Sequence, residues 1–245
     1  MLKIIAHRGF WLEKSEQNTL KAFERAFENG FGVETDLRDF KGELVLSHDL
    51  ATKNALPLCE LLKLHASFCK NLASNSAPSI NVAIPPNTPL LLALNIKADG
   101  LQSPLKALLK EFKTQNYFVF DMSMPDMLGF EREKIAFYTR QSEFEPSPHR
   151  HMKPLYEKAE GVWLDGFFEN FLKKKHLLNH LKKGKALCVV SPELHHYAYM
   201  KEWKRLRQIL IKMQNLKSFN KALNKFSICT DHPQRAREFF NENGH

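Results

Sequence analysis

Apolar residues along the chain gather in short runs, and between the runs they return at helical spacing. The runs are Ile4-Ile5-Ala6, Gly32 to Asp36 with an extension expected through Leu44 to Ser47, Leu91 to Ile96, and Tyr117 to Phe120. Four more follow at Ile135 to Tyr138, Gly161 to Leu164, Ala186 to Val190, and Phe226 to Cys229. Short buried runs that alternate with helical stretches are the pattern of parallel βα units. Eight of them in 245 residues, with no second zone of composition, predict an α/β protein built as one (β/α)8 TIM barrel, since such barrels take about 250 residues. Residues 1–245 are thus read as a single domain, although an open parallel sheet shows the same alternation.

Local signals add detail. A helix is expected from Thr19, with Leu20, Phe23, Ala26 and Phe27 on one face and Gly30 as its C-terminal stop. Another is expected around Leu56 to Ala66. The stretch from Asn71 to Pro89 carries Pro78, Pro85, Pro86 and Pro89 and is read as a loop, because proline removes a donor and clashes with the preceding turn. The longest helical pattern runs from His196 to about Asn224, interrupted near Asn215, with apolar and basic faces. Covering the sheet is its plain role, and lying on a membrane surface is the alternative.

Composition narrows the setting. The hydrophobic share is 43% and no apolar run approaches the roughly 20 residues of a membrane-spanning helix. The start, Met-Leu-Lys-Ile-Ile-Ala-His-Arg-Gly, turns polar too early for an export signal, so a cytoplasmic location is expected. Cys59, Cys69, Cys188 and Cys229 show no metal spacing and are read as reduced thiols. The net charge of +9 comes from basic residues spread along the chain, as in Lys173-Lys174-Lys175, with no nucleic-acid motif beside them. They are read as solvated helix faces that can attract an anionic partner.

In an α/β barrel the reacting groups stand at the C-terminal ends of strands. The first strand ends in His7-Arg8-Gly9. The second reads Val33-Glu34-Thr35-Asp36-Leu37-Arg38, and alternation puts Glu34, Asp36 and Arg38 on one face. Buried carboxylates need a cation, either a divalent metal or a neighbouring Arg or Lys. The extension ends in His48-Asp49, and the third run puts Asn95 and Lys97 on one face. Two histidines for proton transfer, two carboxylates for Mg2+ or Ca2+, and Arg8 and Lys97 for a phosphate's charge amount to phosphodiester chemistry. A structural ion-pair network of Glu34 and Asp36 with Arg8 and Arg38 is the bland reading of the same residues.

These motifs, His7-Arg8-Gly9, Gln17-Asn18-Thr19, Glu34-x-Asp36, His48-Asp49, the run ending in Lys97, and Cys229-Thr230-Asp231-x-Pro233, resemble in order the glycerophosphodiester phosphodiesterase family. The resemblance implies a phospholipase-C-like phosphodiesterase barrel, a divalent cation, and hydrolysis of a glycerophosphodiester to glycerol phosphate and an alcohol. It implies His7 and His48 as the acid/base pair, Glu34 and Asp36 as metal ligands, and Arg8 and Lys97 as phosphate contacts. Three departures stand out. Asn95 replaces the family's glutamate, leaving an amide oxygen as the third metal ligand. Glu16-Gln17 replaces Pro-Glu before Asn18-Thr19. The cap that usually follows His-Asp is missing between Asp49 and Leu56, so a more open pocket is expected.

Other polar groups follow strands. Glu193 and His195 are candidates for substrate contact, and Glu193 or Asp121 could supply the missing carboxylate. His176 and His180, spaced i and i+4, imitate a zinc half-site without a third ligand. His149-x-His151 lies in a proline-flanked loop. Trp11 is placed at the pocket mouth, and Trp163, Phe167 and Phe168 are packing or pocket wall. The expected activity is a metal-dependent phosphodiesterase acting on a glycerol or sugar phosphodiester, for instance in lipid or glycan turnover. The rival is a pseudoenzyme of the same fold that binds phosphate without turnover.

Overall fold

The computed structural model describes residues 2–73, 90–168, 171–214 and 224–242. The chain divides into two units, one of residues 5–137 and one of residues 1–4 with 138–245.

In the first unit, β1 (Lys3–His7) runs parallel to β2 (Gly32–Phe40), with Ile5 opposite Gly32 and His7 opposite Glu34. On its other side β2 pairs with β5 (Leu92–Ile96), which sets Asp36 opposite Asn95, and β5 pairs with β6 (Tyr117–Phe120). Between β1 and β2, α1 (Leu20–Glu28) begins at Thr19, whose hydroxyl accepts from the Ala22 amide, and stops before Gly30 at φ 70°. It buries Ala22, Phe23, Ala26 and Phe27, while Leu20 is 37% exposed and leaves the expected apolar face. The ring of Phe27 meets His65 and Phe68 of α2 (Leu58–Ala73) at 5.5 and 5.7 Å.

The stretch after Asp36 does not extend β2 in one direction: β2 turns at Lys41-Gly42 and returns as antiparallel β3 (Glu43–Leu46). Both turn residues have positive φ, 52° and 85°, the two-residue hairpin geometry that a glycine at the second position favours. Leu56–Pro57 forms a short strand, β4, against β3 and not the first turn of α2, an edge position where the missing proline donor costs no ladder bond. Helix α2 then continues through Asn71 to Ala73, into the expected loop; residues 74–89, with all four prolines, lie outside the described residues. Helices α3 (Gln102–Glu111) and α4 (Met124–Arg132) complete this unit.

The second unit holds four parallel strands in sequence order: β7 (Tyr138–Gln141), β8 (Gly161–Leu164), β9 (Ala186–Val190) and β10 (Phe226–Thr230). Strand β7 starts at the residue where the sequence pattern ends it. Ile135 and Phe137 are buried, but the ladder runs on through Thr139 and Gln141, which are buried too and whose polarity hid the strand. Short helices α5 (Pro148–His151) and α6 (Lys153–Lys158) replace the loop expected around His149, and α7 (Lys174–Leu181) precedes β9. Helix α8 (Tyr199–Gln214) starts three residues later than expected, because His196 takes φ 65° and closes a 3-10 turn over Pro192–His195; residues 215–223 lie outside the described residues. Cys188 and Cys229 are buried in β9 and β10, and none of the four cysteines forms a disulfide among the described residues. Among the described residues no helix is long and apolar enough to cross a membrane.

A polar triad sits in this unit's core. His180 is 1% exposed and bonds Tyr156 Oη through Nδ1 at 2.9 Å and Gln141 Oε1 through Nε2. A neutral ring satisfies both, donating from Nε2 and accepting at Nδ1, so this histidine is a core group and not half of a zinc site. Burial pushes its pKa down to about 3. Because the folded value lies below the ordinary one, the contribution is complete above about pH 6.5 and is lost as pH falls from there toward 3. We expect urea unfolding to show the native protein losing on the order of 1 kcal/mol per pH unit more than His180→Gln between about pH 6 and pH 4. Parallel pH profiles for the two proteins would contradict this.

Candidate active site

The first unit gathers its polar groups at the ends of β1, β2 and β5. Glu34 and Asp36 are each 1% exposed. They stand on one face of β2, as alternation requires, and their oxygens are approached from three elements. From the turn after β1, the Arg8 amide donates to Glu34 Oε2 at 3.3 Å, and Arg8 Nε lies 3.1 Å from Asp36 Oδ2. That guanidinium nitrogen is off line for a hydrogen bond and is otherwise buried without a partner. His7 Nε2 is 3.8 Å from Glu34 Oε2. From β5, the Asn95 amide nitrogen donates to Glu34 Oε1 at 3.4 Å, and Lys97 Nζ lies 3.4 Å from Asp36 Oδ1. From the turn before α1, Asn18 Nδ2 donates to Asp36 Oδ2 at 3.0 Å while its Oδ1 accepts from Thr35 at 2.8 Å.

Backbone geometry makes these contacts reachable. Arg8 has φ 55° and Asn18 has φ 57°, a left-handed conformation that costs most side chains energy and is enriched at functional sites. Gly9, at φ 88°, lets the turn close on α1: a Cβ there would come within 2.8 Å of the Ala22 Cβ. Phe10 then donates to the Ala22 carbonyl, and Trp11 Nε1 donates to the His7 carbonyl at 3.0 Å, bracing the residue beside it.

Electrostatics separate the two carboxylates. Burial, helped by the charge of Asp36, pushes the Glu34 carboxyl up to about 7 against the pull of His7, Arg8 and Lys97. Asp36 carries the closer cations. The oxygen of Asn95 that faces neither Glu34 nor the backbone is buried with no hydrogen-bond partner. One buried donor without an acceptor, on Arg8, and one buried acceptor without a donor, on Asn95, thus stand in the same cluster. Each costs about 1–3 kcal/mol while unmet, so the cluster as it stands is complementary to an anion and a cation together. Among the described residues no three His, Cys, Asp or Glu side chains gather as a metal group. Asp121, at φ 68° after β6, therefore does not complete a three-carboxylate set, and a cation here would have Glu34, Asp36 and the Asn95 oxygen to hold it.

His48 occupies the rim. Its Nδ1 is 2.8 Å from Asp49 Oδ1, and its carbonyl accepts from Arg38 Nε and Nη2 at 3.4 and 3.3 Å. Arg38 is thus spent on this loop and does not join the expected ion-pair network. A cavity of about 640 Å³ is lined by Arg8, Gln17, Asn18, His48 and Asp49, with residues of β4 on its far side. The loop between β3 and β4 is short, in keeping with the missing cap. Gln17 accepts from Arg8 Nη1 at 3.3 Å. Glu16 turns the other way, to Arg25, Lys21 and the Leu12 amide, and Arg25 holds its carboxyl well below the usual range.

Six of the expected residues, His7, Arg8, Glu34, Asp36, Asn95 and Lys97, are therefore brought together, and His48 shares a cavity with Arg8. The sequence pattern assigns Asn18 no role of its own, yet it ties Asp36 to Thr35; its place just before a helix-capping threonine is the signal. Glu193 and His195 belong to the second unit. There Glu193 accepts from Ser191, Thr230 and the Asp231 amide, which fastens the 3-10 turn to the end of β10. His195 Nε2 lies 2.7 Å from Asp165 Oδ1 and its ring packs on Phe167 at 4.7 Å. Trp163 is buried, as expected of packing, whereas Phe168 is 55% exposed.

No protein-family profile matches the sequence, and no curated protein matches it. Solved structures do. A phosphodiesterase of Oleispira antarctica, determined in complex with the product sn-glycerol-3-phosphate, superposes with a TM-score of 0.61 at 14% identity, covering 97% of this chain and 96% of that one. A glycerophosphoryl diester phosphodiesterase of Parabacteroides distasonis gives 0.61 at 12% identity, covering 99% and 87%. A glycerophosphodiester phosphodiesterase of Agrobacterium tumefaciens gives 0.54 at 16% identity, covering 85% and 93%. At these identities the likeness is one of fold: the chain has the α/β fold on which these glycerophosphodiester phosphodiesterases are built.

Proposed function

We propose that the chain is a phosphodiesterase that hydrolyses a glycerophosphodiester, or a related glycerol or sugar phosphodiester, to a phosphomonoester and an alcohol. The observation that carries the reading is the cluster in which Arg8 and Lys97 converge on Asp36 beside His7, with an unmet donor on Arg8 and an unmet acceptor on Asn95. The fold shared with phosphodiesterases, one of them holding sn-glycerol-3-phosphate, supports the same reading.

With Glu34 ionised, the two carboxylates balance Arg8 and Lys97, so a phosphodiester monoanion meets no spare positive charge. A divalent cation, Mg2+ or Ca2+, held by Glu34, Asp36 and the Asn95 oxygen would supply it, acting as a Lewis acid toward the phosphoryl oxygens. Arg8 and Lys97 orient the phosphate's non-bridging oxygens and offset the charge that spreads over them in the transition state. His7 and His48 divide the proton work. One accepts a proton from the attacking water as the new P–O bond forms; the other gives a proton to the departing alkoxide as the ester P–O bond breaks. Asp49 engages His48 Nδ1 and leaves Nε2 as the working nitrogen, and Glu34 stands 3.8 Å from His7 Nε2, where it orients the ring.

One feature favours a second reading. Both oxygens of Asp36 already have cationic or amide partners, so the cluster could serve as a phosphate-binding site without turnover. Hydrolysis separates the readings. We expect release of a phosphomonoester from a panel of glycerophosphodiesters with Mg2+, Ca2+ or Mn2+, reduced by about 10²–10⁴-fold in His7→Ala at an unchanged unfolding midpoint. Tight binding with no release under any metal supports the pseudoenzyme, and full activity in His7→Ala removes the assigned role. A further variant addresses the cation. Asn95→Asp adds a third buried negative charge beside Glu34, so its midpoint should fall in chelator and recover when Mg2+ or Ca2+ is added, by more than the native protein gains. A midpoint insensitive to both ions would contradict a metal held by this residue.

A further inference from the structure

A second polar cavity, of about 320 Å³, lies in the second unit. It is lined by Gln141, Pro146, Ser147, His149, Arg150, Lys175, His176 and Asn179, which come from the loop after β7, from α5 and from α7. We infer that this cavity is an oxyanion site that takes a phosphate group, whether free, in a phosphomonoester or on a lipid headgroup.

Three observations carry the inference. The charge lining the cavity has one sign: Arg150 and Lys175 contribute cations, none of the lining residues is acidic, and neither cation forms an ion pair among the described residues. The imidazoles are unmet as well, for His149 Nδ1 and His176 Nδ1 are buried with no hydrogen-bond partner. A buried polar atom left so costs about 1–3 kcal/mol, a cost that a small rearrangement around a bound oxyanion would remove. The wall is rigid where it matters, since Gln141 donates to the Pro146 carbonyl at 2.8 Å and accepts from the buried His180. Phe171 packs on the His176 ring at 4.9 Å.

The surrounding field points the same way. Burial, then Lys183, Arg150 and His151, hold the His149 imidazole below its ordinary value; burial, then Lys175, Lys173 and Arg205, do so for His176 against Glu143. Positive charge is in excess around both rings. The volume falls at the lower end of ordinary ligand sites, leaving space for an ester substituent on the phosphate.

Inorganic phosphate is the probe, used on the full chain carrying Arg8→Gln and Lys97→Gln together with Asp36→Asn, so that the candidate active site does not contribute and Asp36 leaves no buried charge unpaired. Calorimetry should show one phosphate bound, weakened at least tenfold when Arg150→Gln and Lys175→Gln are added, and retained with Lys175→Arg. Both cations are exposed, so an unchanged unfolding midpoint should certify folding. Vesicles of phosphatidylcholine with phosphatidic acid distinguish the source: sedimentation that fails with Arg150→Gln and Lys175→Gln assigns the site to a lipid headgroup, and phosphate binding without sedimentation assigns it to a soluble phosphate. Absence of phosphate binding in the Arg8→Gln, Lys97→Gln, Asp36→Asn background, or affinity indifferent to Arg150 and Lys175, overturns the inference. A failure of hydrolysis at the other site leaves this measurement unaffected.

Discussion

Asp36 is a carboxylate buried to 1% exposure in the middle of a parallel sheet, where an isolated charge would cost several kcal/mol. Its oxygens are met by cations brought in from two neighbouring strands. Arg8 arrives from β1 by a left-handed turn that only works because Gly9 lets that turn close on α1, and Lys97 arrives from just past the end of β5, two residues after the Asn95 that pairs with Asp36. Asn18 donates to the same oxygen that Arg8 approaches. Removing either cation would leave a buried charge short of its partner, so strand register, turn geometry and helix position in the first unit all bear on this one carboxylate. For Glu34, two residues earlier on the same face, burial and the nearby Asp36 charge push the carboxyl up to about 7.

Much of this arrangement could be read from residue pattern alone, for a physical reason. Buried parallel strands are almost uniformly apolar, so polar residues at their C-terminal ends stand out, and a period of two assigns them a face. That is why the sequence pattern already groups His7, Arg8, Glu34, Asp36, Asn95 and Lys97, whose side chains lie near one another in the structure. The pattern does not encode direction. The hairpin at Lys41-Gly42 looked like a continuation of β2 because Leu44 to Leu46 are as apolar as the strand they return along. Nor does it register polar residues that are buried and satisfied: Thr139 and Gln141 moved β7 by three residues for that reason.

Spacing also carried less information about side-chain partners than about backbone. Glu193 looked like a spare carboxylate at a strand end, but its oxygens are used by Ser191, Thr230 and the Asp231 amide. His180 looked like a ligand because of its distance along the helix from His176; it is instead the centre of a buried triad with Tyr156 and Gln141. The same triad fixes Gln141 as a wall of the basic cavity, so a residue that stabilises the core also shapes a candidate binding site. Both sites set buried polar atoms without hydrogen-bond partners beside cations, which are paired with Asp36 in the first and form no ion pair among the described residues in the second.

The assignment of the first cluster to phosphodiester chemistry rests on Arg8, Lys97 and Asn95 being available to ligands. A crystal structure grown with glycerol phosphate and Ca2+ tests that most directly. The expected map has phosphate oxygens on Arg8 and Lys97 and the ion on Glu34, Asp36 and the Asn95 oxygen, at about 2.3–2.6 Å. A map with Arg8 and Lys97 still turned onto Asp36, Asn95 unliganded, and the phosphate elsewhere would contradict it.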